Sequence, residues 1–153
     1  MAEHYNKSIS VSVVVQAAAY ATGELLCAKL VVPVLCSSGL IRSIKMGDLA
    51  STAVDFEVVI FEQDPTLTTF SINNPFDVDD GDLPKVAGSI LLATADRFNY
   101  VDNGIKFKVL PAPLPFTASK KNGGELYIAL LSRGAPTFAS TADVDLKIGI
   151  TTN

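Results

Sequence analysis

The sequence predicts an all-β protein whose strands form two packed antiparallel sheets. Apolar and polar side chains alternate with a period of two in many short segments, which is typical of half-buried strands. Turn residues (Gly, Asn, Asp and Pro) separate these segments at intervals of roughly 8–12 residues, a spacing found in sandwiches and barrels. About eight strands result, with at most one short helical turn. This number favours a jelly-roll-like sandwich, and the absence of tryptophan argues against an immunoglobulin-like one.

The N-terminal half of the chain contains the first four predicted strands. They cover residues 8–15, 25–32, 40–46 and 55–62. In the first, alternation places the apolar side chains from Ile9 to Val15 on one face. The second is nearly continuous in apolar residues and ends at Pro33. In the fourth, Val59 and Phe61 lie on the face opposite its other apolar residues, so both faces of that strand are expected to be at least partly covered.

The C-terminal half begins with the one helical turn that the sequence supports. It covers residues 83–87, with Asp82 as its N-cap and a proline in the first turn. Further strands are predicted over residues 89–93, 105–109, 125–132 and 144–150. The strand over residues 125–132 is the most apolar of the set, which predicts burial on both faces.

The segment around residues 102–117 combines a hairpin signal with a proline-rich stretch. Asp102-Asn103-Gly104 is typical of a tight hairpin turn. After it, Ile105, Phe107 and Val109 alternate with two lysines, which predicts that these three apolar side chains face the core. The prolines at positions 111, 113 and 115 exclude a central strand there, because proline cannot donate to a sheet ladder.

The domain organisation is simple. The chain has 153 residues without a composition break or internal repeat, which indicates one β-sandwich domain over residues 8–153 after an N-terminal arm over residues 1–7. Hydrophobic residues make up 48% of the chain and charged residues 18%, against about 25% charged in an ordinary domain. Two interpretations stay open: a partner covers part of the surface, or the protein is a β-domain rich in apolar side chains.

Charge and hydropathy exclude two classes of partner. The net charge is −4, and Lys120–Lys121 is the one adjacent basic pair, so no nucleic-acid-binding stripe is present. Glu24 and Lys29 interrupt the longest apolar stretch, so no membrane-spanning helix is expected. Glu3 and a single Lys7 would make a poor n-region for a signal peptide, which predicts synthesis in a cytoplasm. Cys27 and Cys36 are expected to be small buried side chains, although one disulfide between them stays possible.

The sequence offers little for catalysis. His4, the one histidine, lies in the predicted arm, whereas Ser-His-Asp and Cys-His catalysis need an imidazole fixed beside the nucleophile. We found no phosphate-binding glycine loop and no specific signal for a pair of catalytic carboxylates. The sequence therefore predicts a protein that is not an enzyme, with no catalytic residues and no cofactor.

The one candidate metal site is a run of acids. Asp77, Asp79, Asp80 and Asp82 place four carboxylates within six residues, and carboxylate oxygens suit Ca²⁺. The spacing does not match an EF-hand, because Gly81 falls at the fifth place instead of the sixth and no glutamate stands at the twelfth. The alternative is a solvated turn in which Asp79 or Asp82 caps the helical turn, and this interpretation is preferred.

Three segments carry a resemblance to a known class of protein. The first, residues 58–76, contains Asp64-Pro65-Thr66 after a strand and Phe70 beyond it; the others are residues 124–138 and 143–150. Together they resemble small head proteins of tailed bacteriophages, the capsid-decorating or cement proteins. The resemblance implies a jelly-roll-like module on the capsid exterior of the virion. Such modules bind the assembled shell, often as homodimers or homotrimers, and hold neighbouring subunits of the major capsid protein together.

The segments expected to touch a partner are the arm and two loops. They cover residues 2–7, 66–82 and 111–116, and the candidate contact residues are Tyr5, Leu67, Phe70, Phe76, Pro113 and Phe116. Two other virion roles stay open beside the cement role: an adaptor in the tail or baseplate, and a β-sandwich module that binds a receptor or a glycan.

Overall fold

Nine strands form two antiparallel sheets in the computed structural model, which describes residues 5–50, 52–99 and 103–152. The strands are β1 Tyr5–Val11, β2 Leu30–Pro33, β3 Ser38–Asp48, β4 Phe56–Phe61, β5 Val86–Leu92, β6 Arg97–Asn99, β7 Gly104–Thr117, β8 Glu125–Ser132 and β9 Val144–Thr152. The helical segments in these ranges are three 3₁₀ turns at Leu83–Lys85, Thr94–Asp96 and Lys121–Gly123. No helix in the described ranges has the length and apolar character needed to cross a membrane.

The strand order is that of a jelly roll. One sheet has the order β1-β9-β3-β7-β6 and the other the order β2-β8-β4-β5. Without the short β6, a sheet of four strands packs against another sheet of four strands. Most connections cross from one sheet to the other, as in two interlocked Greek keys. The predicted two-sheet antiparallel sandwich is therefore confirmed, and β6 is a three-residue addition to its eight-strand plan.

The main core lies between the two sheets, where the alternating apolar faces meet. The inward side chains of β4 and β9 are all buried, as the period-two pattern predicts. They are Phe56, Val58 and Ile60 in β4 and Val144, Leu146, Ile148 and Ile150 in β9. In these two strands, the apolar side of the alternation is the side that points inward.

A second, smaller apolar cluster lies on the outer face of the four-stranded sheet. Its buried members are Leu25, Val59, Phe61, Tyr127, Ala129 and Leu131. The connection between β4 and β5 covers them, with Phe70, Phe76 and Val78 packed against the cluster. The prediction that both faces of β4 are covered is therefore confirmed. The cover here is a loop of this same chain, so this face needs no partner to explain its apolar residues.

In the first half of β7, the side chains that point into the core are not the ones that the sequence predicts. Lys106 is fully buried, whereas Phe107 and Val109 are exposed. The reason is register, because Lys106 pairs with Met46 of β3, whose side chain points into the core. The expectation that Ile105, Phe107 and Val109 face the core is wrong: the lysine side of the alternation points inward instead.

The proline-rich half of β7 is an edge strand. β6 pairs with Gly104–Lys106 alone, so the later residues of β7 have β3 on one side and no strand on the other. Pro115 lies two residues before Thr117, whose amide points away from β3 and donates to Glu62 Oε1 at 2.8 Å. Pro111 and Pro113 lie where the register between β3 and β7 shifts. Proline removes the amide hydrogens that would otherwise line this edge, which discourages pairing with a second sheet.

Some element boundaries differ from the predicted ones. β1 begins at Tyr5, so residues 5–7, expected in the arm, pair with residues 150–152 of β9. The remaining arm residues, including His4, and Asp102 of the hairpin signal lie outside the described residues. The predicted strand over residues 25–32 is shorter, since β2 begins at Leu30. Instead of one helical turn over residues 83–87, a 3₁₀ turn ends at Lys85 and β5 follows directly.

Candidate docking surface

A row of apolar side chains is exposed on the outer face of the five-stranded sheet. Phe107 and Val109 of β7 are 41% and 65% exposed, and Phe98 of β6 is 60% exposed. Phe98 pairs with the half-buried Ile105, so all four side chains share one face. We call these four residues, Phe98, Ile105, Phe107 and Val109, the β6–β7 patch.

Polar residues border the β6–β7 patch on the side of β3 and β9. Lys45 pairs with Phe107 on one side and with Lys147 on the other, which places two ammonium groups beside the apolar row. Ser43 pairs with Val109 in the same way. An apolar centre with a polar rim is the usual anatomy of a protein interface.

The predicted contact residues do not form this surface. Tyr5 is exposed, but it lies in β1 at the opposite edge of the five-stranded sheet. Leu67 is exposed in the loop over the other sheet, on the far side of the sandwich. Pro113 is half-buried in the edge half of β7.

Three of the predicted contact residues are phenylalanines, and all three have structural roles. Phe116 is only 3% exposed and belongs to the main core, so its assignment as a contact residue is wrong. Phe70 and Phe76 are half-buried over the second cluster, with ring centroids 5.3 Å apart, and Phe70 packs edge-on against Phe61 at 6.4 Å. These rings fix the β4–β5 loop to the sheet, which leaves them little surface for a partner.

Asp82 holds the far end of the β4–β5 loop. Its Oδ2 accepts hydrogen bonds from the amides of Leu67 and Thr68 at 2.9 and 2.6 Å, and its Oδ1 accepts from Lys85 Nζ at 2.6 Å. The side chain is fully buried. Burial disfavours the charged carboxylate, but the hydrogen bonds from Lys85, Thr68 and Leu67 outweigh it and hold the pKa of Asp82 far below its usual range.

This arrangement changes the interpretation of the acidic run. Asp82 stands at the N-cap position, but its side chain makes no capping hydrogen bond. It is therefore a buried anchor, and the expectation of a wholly solvated turn is wrong at this residue. Asp79 Oδ1 accepts from the amide of Gly81 at 2.8 Å, a local turn contact, and Asp77 and Asp80 are exposed.

The four aspartates are not assembled as a metal site. Within residues 5–50, 52–99 and 103–152, no group of three or more His, Cys, Asp or Glu side chains could hold a metal ion. Both Asp82 oxygens are already occupied by donors of the protein.

The start of the β4–β5 loop is held differently, by an ion pair between Lys29 and Asp64. Lys29 Nζ also lies 5.7 Å from the ring centroids of Phe70 and Tyr127.

Both cysteines are free thiols. Cys27 is buried in the main core and Cys36 is half-buried beside it. Burial raises the pKa of Cys27 to about 12, so its thiol stays protonated at neutral pH. The disulfide that the sequence left possible is therefore not formed in this structure.

Sequence reasoning missed the β6–β7 patch because alternation alone cannot say which face of a strand is buried. Residues 105–109 have the same period whether Ile105, Phe107 and Val109 point into the core or the two lysines between them do. The signal that decides between these two arrangements is Asp48, a carboxylate in β3 that receives Lys106 in the core, and this contact is long-range in sequence.

Comparison with protein-family models, with curated proteins and with solved structures finds no match for this chain in any of the three. Any function has to be argued from the surface and the contacts described above.

Proposed function

We propose that this protein is a non-enzymatic structural component of a virion. It binds the outside of a tailed-phage capsid and stabilises contacts between subunits of the major capsid protein. The observation that carries the proposal is the β6–β7 patch on the outer face of the five-stranded sheet. The resemblance of residues 58–76, 124–138 and 143–150 to small phage head proteins supplies the class of partner.

The patch stands out against the rest of its face. Apart from the half-buried Leu40 of β3, the other outward positions of β1, β3 and β9 carry polar or charged side chains or glycine, among them Ser8, Ser10, Lys45, Asp145 and Lys147. Nothing in the fold needs two exposed phenylalanines beside them. Aromatic side chains at the centre of an interface carry much of its binding energy. The patch therefore supports a docking role for this sheet.

The energy available from the patch is moderate. Full burial of a Phe or Val side chain contributes about 1.5–3 kcal/mol. Because Phe98, Phe107 and Val109 are already partly covered, each would contribute about 1 kcal/mol on docking. One copy alone would bind with modest affinity, so a decoration role fits binding at many equivalent sites, or as an oligomer with several simultaneous contacts.

Stabilisation of the shell would follow from mass action. A protein that binds the expanded shell but not its separated subunits favours the assembled state. At a free concentration 100-fold above Kd, each occupied site stabilises the shell by about 2.7 kcal/mol. No chemical step is needed, which is consistent with a module whose contribution is a rigid binding face.

The test is co-sedimentation of the purified protein with empty, expanded heads of the phage whose genome encodes it. We expect the wild-type protein to pellet with the heads at micromolar concentration. The double variant Phe107→Ser and Val109→Ser should bind at least about tenfold more weakly, because about 1.4 kcal/mol is a factor of ten. The matched control is Leu35→Ser, since Leu35 is as exposed as Val109 at 65% but lies just after β2 of the other sheet.

Two results would contradict the proposal. One is the absence of the wild-type protein from the pelleted heads at micromolar concentration. The other is gold labelling of intact virions at a single vertex or on the tail, which would favour an adaptor or a receptor-binding module. Equal loss of binding in the Leu35 variant would contradict the assignment of the docking face while leaving the capsid role in place.

A further inference from the structure

A lysine and an aspartate face each other inside the sandwich. Lys106 of β7 and Asp48 of β3 are both fully buried, and Lys106 Nζ lies 3.6 Å from Asp48 Oδ2. The ammonium nitrogen also lies 4.6 Å from the ring centroid of Phe56. The two strands are neighbours in the sheet, so the backbone holds the two side chains in this position. Buried pairs of this kind are costly, because two charges leave water.

The hydrogen bonds around Asp48 treat its two oxygens differently. Oδ2 accepts from the amide of Thr52 at 2.8 Å and from the hydroxyl of the same residue. Oδ1 is buried and has no hydrogen-bond partner among the described residues. Lys106 Nζ donates to the carbonyl oxygen of Thr52 at 3.2 Å. One oxygen of the carboxyl group is thus held by two donors, and the other is left without any.

The surroundings of Lys106 lower the pKa of its ammonium group. Burial lowers the pKa of Lys106, and the nearby Arg97 lowers it further, while Asp48 and Asp55 raise it; the net direction is downward. Transfer of one proton from the ammonium group to the carboxylate removes both buried charges at once. A primary amine beside a carboxylic acid is the pair of groups that an amide condensation requires.

We propose that Lys106 and Asp48 condense into an amide bond that joins β3 and β7 covalently. The lone pair of Nζ attacks Cγ of the protonated Asp48 side chain, and the N–C bond forms. The two Thr52 donors stabilise the negative charge that develops on Oδ2. One nitrogen proton passes to the Oδ1 hydroxyl, the C–Oδ1 bond breaks, and one water molecule leaves. No oxidant, reductant or cofactor takes part.

This inference does not depend on the proposed capsid role. A cross-link between residues 48 and 106 would close a long loop of the chain and restrict the unfolded state, as a disulfide does. Unlike a disulfide, it would survive in a reducing cytoplasm. It would also explain why a lysine occupies a core position that an apolar side chain would fill at lower cost.

The experiment is the intact mass of the full-length protein under denaturing conditions, followed by a tryptic map. We expect a mass lower than that of the sequence by one water molecule. Trypsin should fail to cleave after Lys106 and should yield one cross-linked species that joins residues 46–85 to residues 98–108. The variant Lys106→Met should have its full sequence mass. The control Lys108→Met, which loses the neighbouring ion pair with Asp96, should keep the water loss.

A wild-type mass equal to that of the sequence, with free cleavage after Lys106, would overturn the proposal and leave an ordinary buried ion pair. A water loss that persists in the Lys106 variant would also overturn it, since another pair would then be responsible. If the Lys106 variant does not fold, the wild-type mass and tryptic map decide the question alone.

Discussion

Replacement of Phe70 by alanine tests whether the β4–β5 loop is part of the folded core. The Phe70 ring packs on the second cluster, contacts the rings of Phe61 and Phe76, and lies under the Lys29 ammonium group. A fully buried Phe→Ala change costs about 3–5 kcal/mol. Phe70 is half-buried, so we expect a loss of about 2 kcal/mol in the free energy of unfolding.

The assay is urea unfolding at neutral pH. With a slope of about 2 kcal/mol per molar urea, the midpoint should fall by about 1 M. The matched control is Phe98→Ala, the same chemical change at a 60% exposed position in β6, for which we expect a shift within about 0.5 kcal/mol. An unchanged midpoint for Phe70→Ala, or equal shifts for the two variants, would refute the conclusion that the loop is packed as part of the fold.

Two further predictions concern the anchor of the loop and the packing between β3 and β9. Because the pKa of Asp82 is lower in the folded protein than in the unfolded chain, its stabilisation is present above a pH of about 3.9 and is lost as the pH falls further. Asp82→Asn should therefore lower the melting temperature at pH 7, and the difference from wild type should shrink at pH 3; an equal difference at both pH values would contradict the anchoring role. A Cβ atom on Gly39 would lie 2.5 Å from the carbonyl oxygen of Thr151, so Gly39→Ala should cost at least about 1–3 kcal/mol. Unchanged thermal unfolding of that variant would show that the two strands can separate at little cost.

The fold was predictable because its signals are local. Alternation and turn residues located the strands, and the apolar side chains of β9 from Val144 to Ile150 are buried as expected. Proline positions indicated an edge in the second half of β7, where the strand continues with one neighbour. These features depend on backbone chemistry that acts within a few residues of the chain.

The exposed β6–β7 patch was not predictable because it depends on a long-range pair. The segment from Ile105 to Val109 has the same alternation whichever face is buried, and Lys106 enters the core where it forms an ion pair with Asp48 of the neighbouring strand. Similarly, Phe116 looked like a loop residue, but it pairs with the buried Gly39 of β3 and its side chain lies in the core. Tertiary register overrides composition at these positions.

The apolar composition has two separate explanations. On the four-stranded sheet, the β4–β5 loop covers the outer apolar residues, and Asp82 and the Lys29–Asp64 pair hold that loop in place. On the five-stranded sheet, the β6–β7 patch stays exposed. The low charged fraction therefore has one intramolecular cause, and the proposed docking role would supply the other.

Cryo-electron microscopy of expanded heads saturated with the purified protein tests the central claim most directly. We predict added density over the whole outer shell, with β6 and β7 nearest to the major capsid protein and the β4–β5 loop pointing into solvent. Density confined to one vertex or to the tail would contradict the capsid role, and density with the β4–β5 loop against the shell would contradict the docking face.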